Sequence, residues 1–179
     1  MWDLWYSTTD FPQGLKNQFS RAAKWAVYSE PGHWPDAGML PIGRLEPAAG
    51  WEKPRTTHLT RDEQRTLLTL WSIFRSPLIM GGNLTLCDEW TTSLLTNAEV
   101  IAVDQHSTET HPVINTDKAA VWTARPVSGD GYYLAVFNLD DSPQTLHYFW
   151  KDLGLLPGSK YRLRDLTGSL GAKRPSFCF

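Results

Sequence analysis

Residues 32–40 hold a cluster of side chains whose types and spacing could do chemistry. The segment reads GHWPDAGML and places Asp36 between Trp34 and Met39. A carboxylate accepts hydrogen bonds from sugar hydroxyls, and an indole ring stacks on the apolar face of a pyranose ring. The segment therefore indicates sugar recognition. The alternative is a simple turn over residues 35–38, in which the Asp36 carboxylate bonds its own backbone.

The helices that would position this segment have clear sequence signals. Apolar side chains at helical spacing predict a helix over residues 14–28. Thr60 and Glu63 form a capping box, which predicts the start of a second, strongly apolar helix. Pro77 ends that helix, because proline has no amide hydrogen and disfavours helical backbone in the residue before it.

A continuous apolar run follows, and residues 77–82 predict a short strand buried on both faces. Two short helices come next, with Asn97 as the cap between them. Helix, buried strand and helix in this order are typical of an α/β barrel, whose strand ends carry the site. With only two barrel strands present, we expect the apolar helix face over residues 67–74 to lack a partner.

The sequence changes character near Ser107. Short strand-like runs separated by turn residues predict an antiparallel sandwich, and these runs are 119–125, 132–138, 144–150 and 160–166. We therefore predict two domains, with residues 1–106 forming the helix and strand part and residues 107–179 forming the all-β part.

Composition excludes several classes of function. A formal charge of -2 over 179 residues argues against a nucleic-acid partner, which needs a clustered basic face. No run of 18 apolar residues is present, so we expect no membrane span. Cys87 and Cys178 lie far apart without metal-ligand spacing, so we expect no metal site, and their pairing stays open. The oligomeric state stays open as well.

Residues 32–40 resemble the GHWPDADML or WNDPDML segment of the alpha-galactosidase (melibiase) family, glycoside hydrolase family 27. Further segments are similar to the family's motifs and follow in its order: 59–66, 70–73, 76–84 and 95–105. Two later runs resemble strands of the family's C-terminal sandwich: 133–138 and 160–166. These matches cover most of residues 24–168, and the chain is identified as a member of this family.

The resemblance implies the last part of a (β/α)8 TIM barrel followed by an antiparallel C-terminal β-sandwich, in fold-class terms α/β plus all-β. It also implies retaining hydrolysis of terminal α-linked galactose in an α-galactoside, without a cofactor. Trp34, Asp36 and Met39 align with the family's substrate-binding residues. One position departs, because Gly38 replaces the motif's second Asp and removes an acceptor for a sugar hydroxyl. Galactose, N-acetylgalactosamine and β-arabinopyranose stay open as substrates, because the resemblance implies that the residues that read their substituents lie mostly upstream.

The catalytic carboxylates are harder to place. The family's nucleophile segment, which lies upstream of the WPDADML motif, has no counterpart in this sequence. For the acid/base residue, residues 2–5 match a W-D-x-W motif that would put it before Met1. The other alignment makes Asp10 the acid/base, with Tyr6 replacing the motif's Arg. We favour the first alignment.

We accordingly expect a C-terminal fragment that is inactive alone, with a truncated sandwich. No signal peptide is evident, although a full-length relative would be secreted or periplasmic. The alternative is a non-catalytic carbohydrate-binding or structural β-sandwich module, in which residues 107–179 hold the affinity.

Overall fold

The computed structural model describes residues 10–46, 53–156, 158 and 160–168. Within these residues, four α-helices precede a three-stranded sheet, and a two-stranded antiparallel sheet is formed by segments between the first two helices. The helices are α1 (Pro12–Trp25), α2 (Arg61–Phe74), α3 (Glu89–Leu95) and α4 (Ala98–His106). The strands are β1 (Arg44–Leu45), β2 (Arg55–Thr56), β3 (Ser107–Asn115), β4 (Ala119–Pro126) and β5 (Tyr133–Asn138).

The starts of α2 and α4 are those that the sequence predicts, whereas α1 begins at Pro12 and not at residue 14. Thr60 Oγ1 accepts from the Glu63 amide at 3.2 Å, while the Thr60 amide donates to Glu63 Oε2 at 2.7 Å. Asn97 Oδ1 accepts from the Glu99 and Val100 amides at the start of α4. Each cap satisfies amides that lack a partner within the helix. The predicted capping box and the Asn97 cap are confirmed.

One hydrophobic core joins the helices to the sheet. Helices α1 and α2 pack on one face of the antiparallel sheet, whose order is β3-β4-β5. Phe74 meets Trp122 edge to face at 5.8 Å, and Phe19 meets Phe137 at 4.9 Å between ring centroids. The expectation that the apolar face of α2 lacks a partner is wrong, because the sheet covers it.

Parallel pairing between the segment around Leu40 and the strand predicted over residues 77–82 is short. Leu40 and Met80 form a parallel bridge, in which the Leu40 amide donates to the Ile79 carbonyl and the Gly81 amide donates to the Leu40 carbonyl. Ile79 is 47% exposed, so the run over residues 77–82 is not buried on both faces as predicted. The described residues on either side supply no second neighbouring strand for it.

The all-β half differs from its prediction at two runs. The strands predicted over residues 144–150 and 160–166 are wrong, because neither run pairs with a neighbouring backbone within the described residues. Strand β3 was not predicted as a strand, yet it pairs along β4 with two register shifts. The structure therefore shows an antiparallel sheet, and the division into domains at residues 106 and 107 stays a prediction.

Candidate functional site

The Trp34–Met39 turn is fixed by three hydrogen bonds. Asp36 Oδ1 accepts from the Gly38 amide at 2.8 Å, which is the local turn bond that the sequence allows. The Gly38 carbonyl accepts from the Trp71 indole at 3.0 Å, and the Ala37 amide donates to Ser76 Oγ at 2.9 Å. Trp71 and Ser76 are buried in and just after α2, so the helix holds the turn in place.

Backbone geometry explains the glycine in this turn. Gly38 has a φ of 90°, a conformation that residues with a side chain rarely adopt. Pairing with the neighbouring strand begins only at Leu40, since Pro35 has no amide hydrogen and Asp36 and Gly38 bond within the turn. The turn thus precedes the bridged residue Leu40.

The three predicted binding residues present partly open side chains. Met39 is 51% exposed, and Trp34 and Asp36 are partly exposed. Their neighbours Ala37 and Leu40 are buried. Asp36 Oδ2 has no hydrogen-bond partner among the described residues. The turn therefore offers an aromatic ring, a free carboxylate oxygen and a thioether side chain together, which is a combination that can bind a sugar.

Arg75 supports the turn, and sequence reasoning missed it. Its guanidinium carbon lies 3.8 Å from the centroid of the Trp34 ring. The same group donates to three carbonyls where α4 ends and β3 begins: those of Asp104 at 2.7 Å, Gln105 at 3.3 Å and Ser107. Arg75 thereby joins the Trp34–Met39 turn to the start of the sheet. An arginine before Ser76-Pro77 was visible in the sequence, but its partners lie some thirty residues away.

Asp10, the candidate acid/base residue, lies in a different environment. It is 4% exposed, and its two oxygens accept from the Arg55 guanidinium. The His58 amide donates to Oδ2 at 2.9 Å, and His58 Nδ1 lies 3.0 Å from the same oxygen. None of these partners contacts Asp36, so the described contacts do not bring the two carboxylates together.

The charge state of Asp10 follows from these partners. Burial alone raises the pKa of its carboxyl. The hydrogen bonds from Arg55 and His58 and their positive charges together lower the pKa by more, so the net pKa is lowered. A general acid must hold a proton near neutral pH. This arrangement stabilises the carboxylate instead, as an ion pair does, and the acid/base role of Asp10 stays a prediction.

No cluster of three or more His, Cys, Asp or Glu side chains in the described part of the chain is placed to hold a metal ion. None of the helices described combines the length and apolar character of a membrane span. The W-D-x-W segment at residues 2–5 and Cys178 lie outside the described residues.

Comparison with known proteins accounts for most of the chain. Residues 2–106 match the family model for alpha galactosidase A, and residues 116–166 match that for the alpha galactosidase C-terminal beta sandwich domain. An alpha-galactosidase of Cyamopsis tetragonoloba is 31% identical over 167 residues, which cover 90% of this chain and 38% of the relative.

Solved structures agree with these matches. A GH27 β-L-arabinopyranosidase from Geobacillus stearothermophilus is 41% identical with a TM-score of 0.75, over 82% of this chain and 34% of that one. The alpha-galactosidase of Saccharomyces cerevisiae is 25% identical with a TM-score of 0.54, over 67% of this chain and 26% of that one. The chain thus spans less than two fifths of the length of these relatives. It belongs to the alpha-galactosidase family of glycoside hydrolases, family 27.

Proposed function

We propose that this chain is the closing part of a retaining exo-glycosidase that removes terminal α-linked galactose or a close relative of that sugar. In this proposal the bridge between Leu40 and Met80 joins the last two strands of a (β/α)8 barrel, and β3 to β5 begin the sandwich. The Trp34–Met39 turn is the single observation that carries the proposal, because it presents sugar-binding groups on a rigid support.

Each residue of the turn receives a role. Trp34 has Arg75 on one side, so the remaining exposed part of its ring stacks on the sugar. Asp36 keeps Oδ1 in the turn and offers Oδ2 to a sugar hydroxyl. Met39 contacts the apolar edge of the ring through its exposed side chain. These are binding roles and break no bond.

Bond cleavage needs two carboxylates about 5–5.5 Å apart in a retaining enzyme. We place the nucleophile outside these 179 residues, since the sequence has no counterpart of the family's nucleophile segment. Asp10 is the candidate acid/base within the chain. Its lowered pKa and its Arg55 partner favour the alternative, in which the acid/base also lies outside the chain.

Whether the chain hydrolyses a sugar on its own is tested with three aryl glycosides: an α-galactoside, a β-L-arabinopyranoside and an α-N-acetylgalactosaminide. The solved relative from Geobacillus stearothermophilus acts on β-L-arabinopyranosides, and a variant of it was solved with arabinose. A β-L-arabinopyranosyl unit has the same arrangement of ring hydroxyls as α-galactose but lacks its exocyclic hydroxymethyl group. We expect no turnover of any of the three by the purified chain.

Sugar binding by the turn is then measured through NMR titration with methyl α-galactoside and methyl β-L-arabinopyranoside. Asp36→Ala should weaken binding by about tenfold, the value of one hydrogen bond to a charged group. Asp117→Ala, an exposed aspartate in the β3-β4 hairpin, is the matched control. Turnover that Asp10→Asn abolishes would overturn the placement of the nucleophile, and Asp36 would then be the first candidate for it.

A further inference from the structure

The sheet has a second face that the helices do not cover. Val121 and Leu134 alternate with the core residues of β4 and β5 and so point away from α1 and α2. They pack with Leu153 and Leu155 in a small second cluster. A cleft of about 350 Å³ opens beside this cluster, near the lower end of the ~300–1,000 Å³ typical of ligand sites.

Aromatic rings line the cleft, which we call the sheet cleft. Tyr132, Trp150 and Tyr161 are all partly exposed there. The Tyr161 ring lies 5.3 Å from Trp150 and 6.2 Å from Tyr132, at interplanar angles of 57° and 77°. Rings set at steep angles to one another form the walls of a concave site instead of a flat stack.

Hydrogen bonds hold the two tyrosines in place. Tyr161 donates its hydroxyl hydrogen to the Leu156 carbonyl at 3.2 Å, and the Tyr132 hydroxyl accepts from Arg125 at 2.8 Å. Arg125 also lies 4.4 Å over the Tyr132 ring and pairs with Glu109 at 3.3 Å. The rings are therefore fixed before any ligand arrives, which lowers the entropy cost of binding.

Two charged side chains at the rim are free to bind. Asp130 and Arg162 both line the cleft and are exposed, and neither has an ion pair or a side-chain hydrogen bond within the described residues. A carboxylate accepts hydrogen bonds from hydroxyls, and a guanidinium donates to them. Because the two charges are opposite, the rim favours a neutral ligand with many hydroxyls over an ionic one.

We propose that the sheet cleft binds one pyranose unit of a neutral glycan, at a site separate from the Trp34–Met39 turn. Tyr161 and Tyr132 supply ring surface for the apolar face of the sugar, and Asp130 and Arg162 bond its hydroxyls. Trp34 lies against Arg75 just after α2, and none of the residues that line the sheet cleft belongs to the Trp34–Met39 turn, so the two sites use different elements. The inference requires no hydrolysis and goes beyond the proposed activity.

Native gel electrophoresis of the 179-residue chain in gels with and without galactomannan tests this site. We expect the polysaccharide to retard the chain. Asp130→Ala and Arg162→Ala should each weaken binding by about tenfold, as the loss of a hydrogen bond to a charged group does. Tyr161→Leu keeps an apolar side chain but removes the ring, and should weaken binding by at least as much.

Controls separate this site from the turn and from unfolding. Asp117→Ala should be retarded like the unchanged chain, and thermal unfolding followed by circular dichroism should show that Asp130→Ala and Arg162→Ala remain folded. Because the Trp34–Met39 turn is itself proposed to bind terminal α-galactose, the cleft variants are also made in the Trp34→Ala background, where each should weaken the remaining retardation by about tenfold. An absence of retardation in galactomannan overturns the proposal. It is also overturned if Trp34→Ala abolishes retardation while the cleft variants do not, and neither result bears on turnover of aryl glycosides.

Discussion

Asp10 and Asp104 each lie near an arginine, yet their pKa values move in opposite directions. The pKa of Asp10 is lowered, while that of Asp104 is raised to about 6. Burial raises the pKa of both carboxyls, so the difference in direction comes from the hydrogen bonds and charges that each carboxyl receives.

Arg55 directs its guanidinium at the Asp10 carboxylate itself, and His58 adds an amide and a ring nitrogen. Arg75 instead donates to backbone carbonyls at the end of α4 and the start of β3. The Asp104 carboxyl therefore receives only the charge of Arg75, which offsets part of the burial cost. A nearby arginine lowers a carboxyl pKa through its charge alone, and lowers it further when its N–H groups also donate hydrogen bonds to that carboxyl.

Removing the Asp10 carboxylate should change the stability of the chain more than any change at Arg75 or Asp104. Asp10→Ala removes the buried carboxylate to which the Arg55 guanidinium and the His58 amide donate, and breaking such a pair costs about 3 kcal/mol, the lower end of the usual range. Urea unfolding at pH 7 measures this loss. Asp141→Ala is the control, because its 3.4 Å ion pair with Lys16 lies at the surface and contributes about 0–1 kcal/mol. Equal losses in the two variants would show that the Asp10 ion pair is not a buried one.

The two arginine sites also show what the sequence could and could not predict. Thr60 and Asn97 were identified as caps because their partners lie within three residues. The contacts of Arg75 could not be, since they depend on the packing of α4 against α2. Arg55 and His58 likewise reach Asp10 from more than forty residues away in the chain.

The same distinction holds for strands. Residues 144–150 have the composition of a strand, but no neighbouring strand in the described residues hydrogen-bonds to them. A strand forms only where its backbone is paired in this way. Strand β3 was missed because it contains Pro112, a positive φ at Glu109 and two register shifts, so its side chains do not alternate. The Trp34–Met39 turn could be predicted because its residues are contiguous in the sequence. Its support from Trp71 and Arg75 could not, because those residues lie more than thirty positions further along the chain.

Changes at Arg75 should have the next largest effect. Arg75→Ala removes the contacts with three carbonyls and with Trp34, and we expect a loss of about 2 kcal/mol in the free energy of unfolding. Arg75 itself has a φ of 63°, which favours glycine. Arg75→Gly should therefore lose about 1 kcal/mol less than Arg75→Ala, although both lack the guanidinium. Urea unfolding of both variants at pH 7 checks this, and a greater loss in the glycine variant would contradict it.

The smallest effect should come from Asp104, which is only partly buried, and it should depend on pH. The folded state holds a proton on this carboxyl up to about pH 6, whereas the unfolded chain releases it near 3.8. Charging Asp104 therefore costs more free energy in the folded state than in the unfolded chain, and the free energy of unfolding falls as the pH rises from 4 to 6. Asp104→Asn should stabilise the chain at pH 7 and make little difference at pH 4. Asp10 has the opposite sign, because its lowered pKa gives a contribution that is complete above about pH 4 and is lost in more acidic solution. Unfolding free energies of Asp104→Asn and of the unchanged chain, measured between pH 4 and 7.5, should therefore differ at pH 7 and converge as the pH falls to 4. Parallel curves would mean that the Asp104 carboxyl is as well solvated in the folded state as in the unfolded chain.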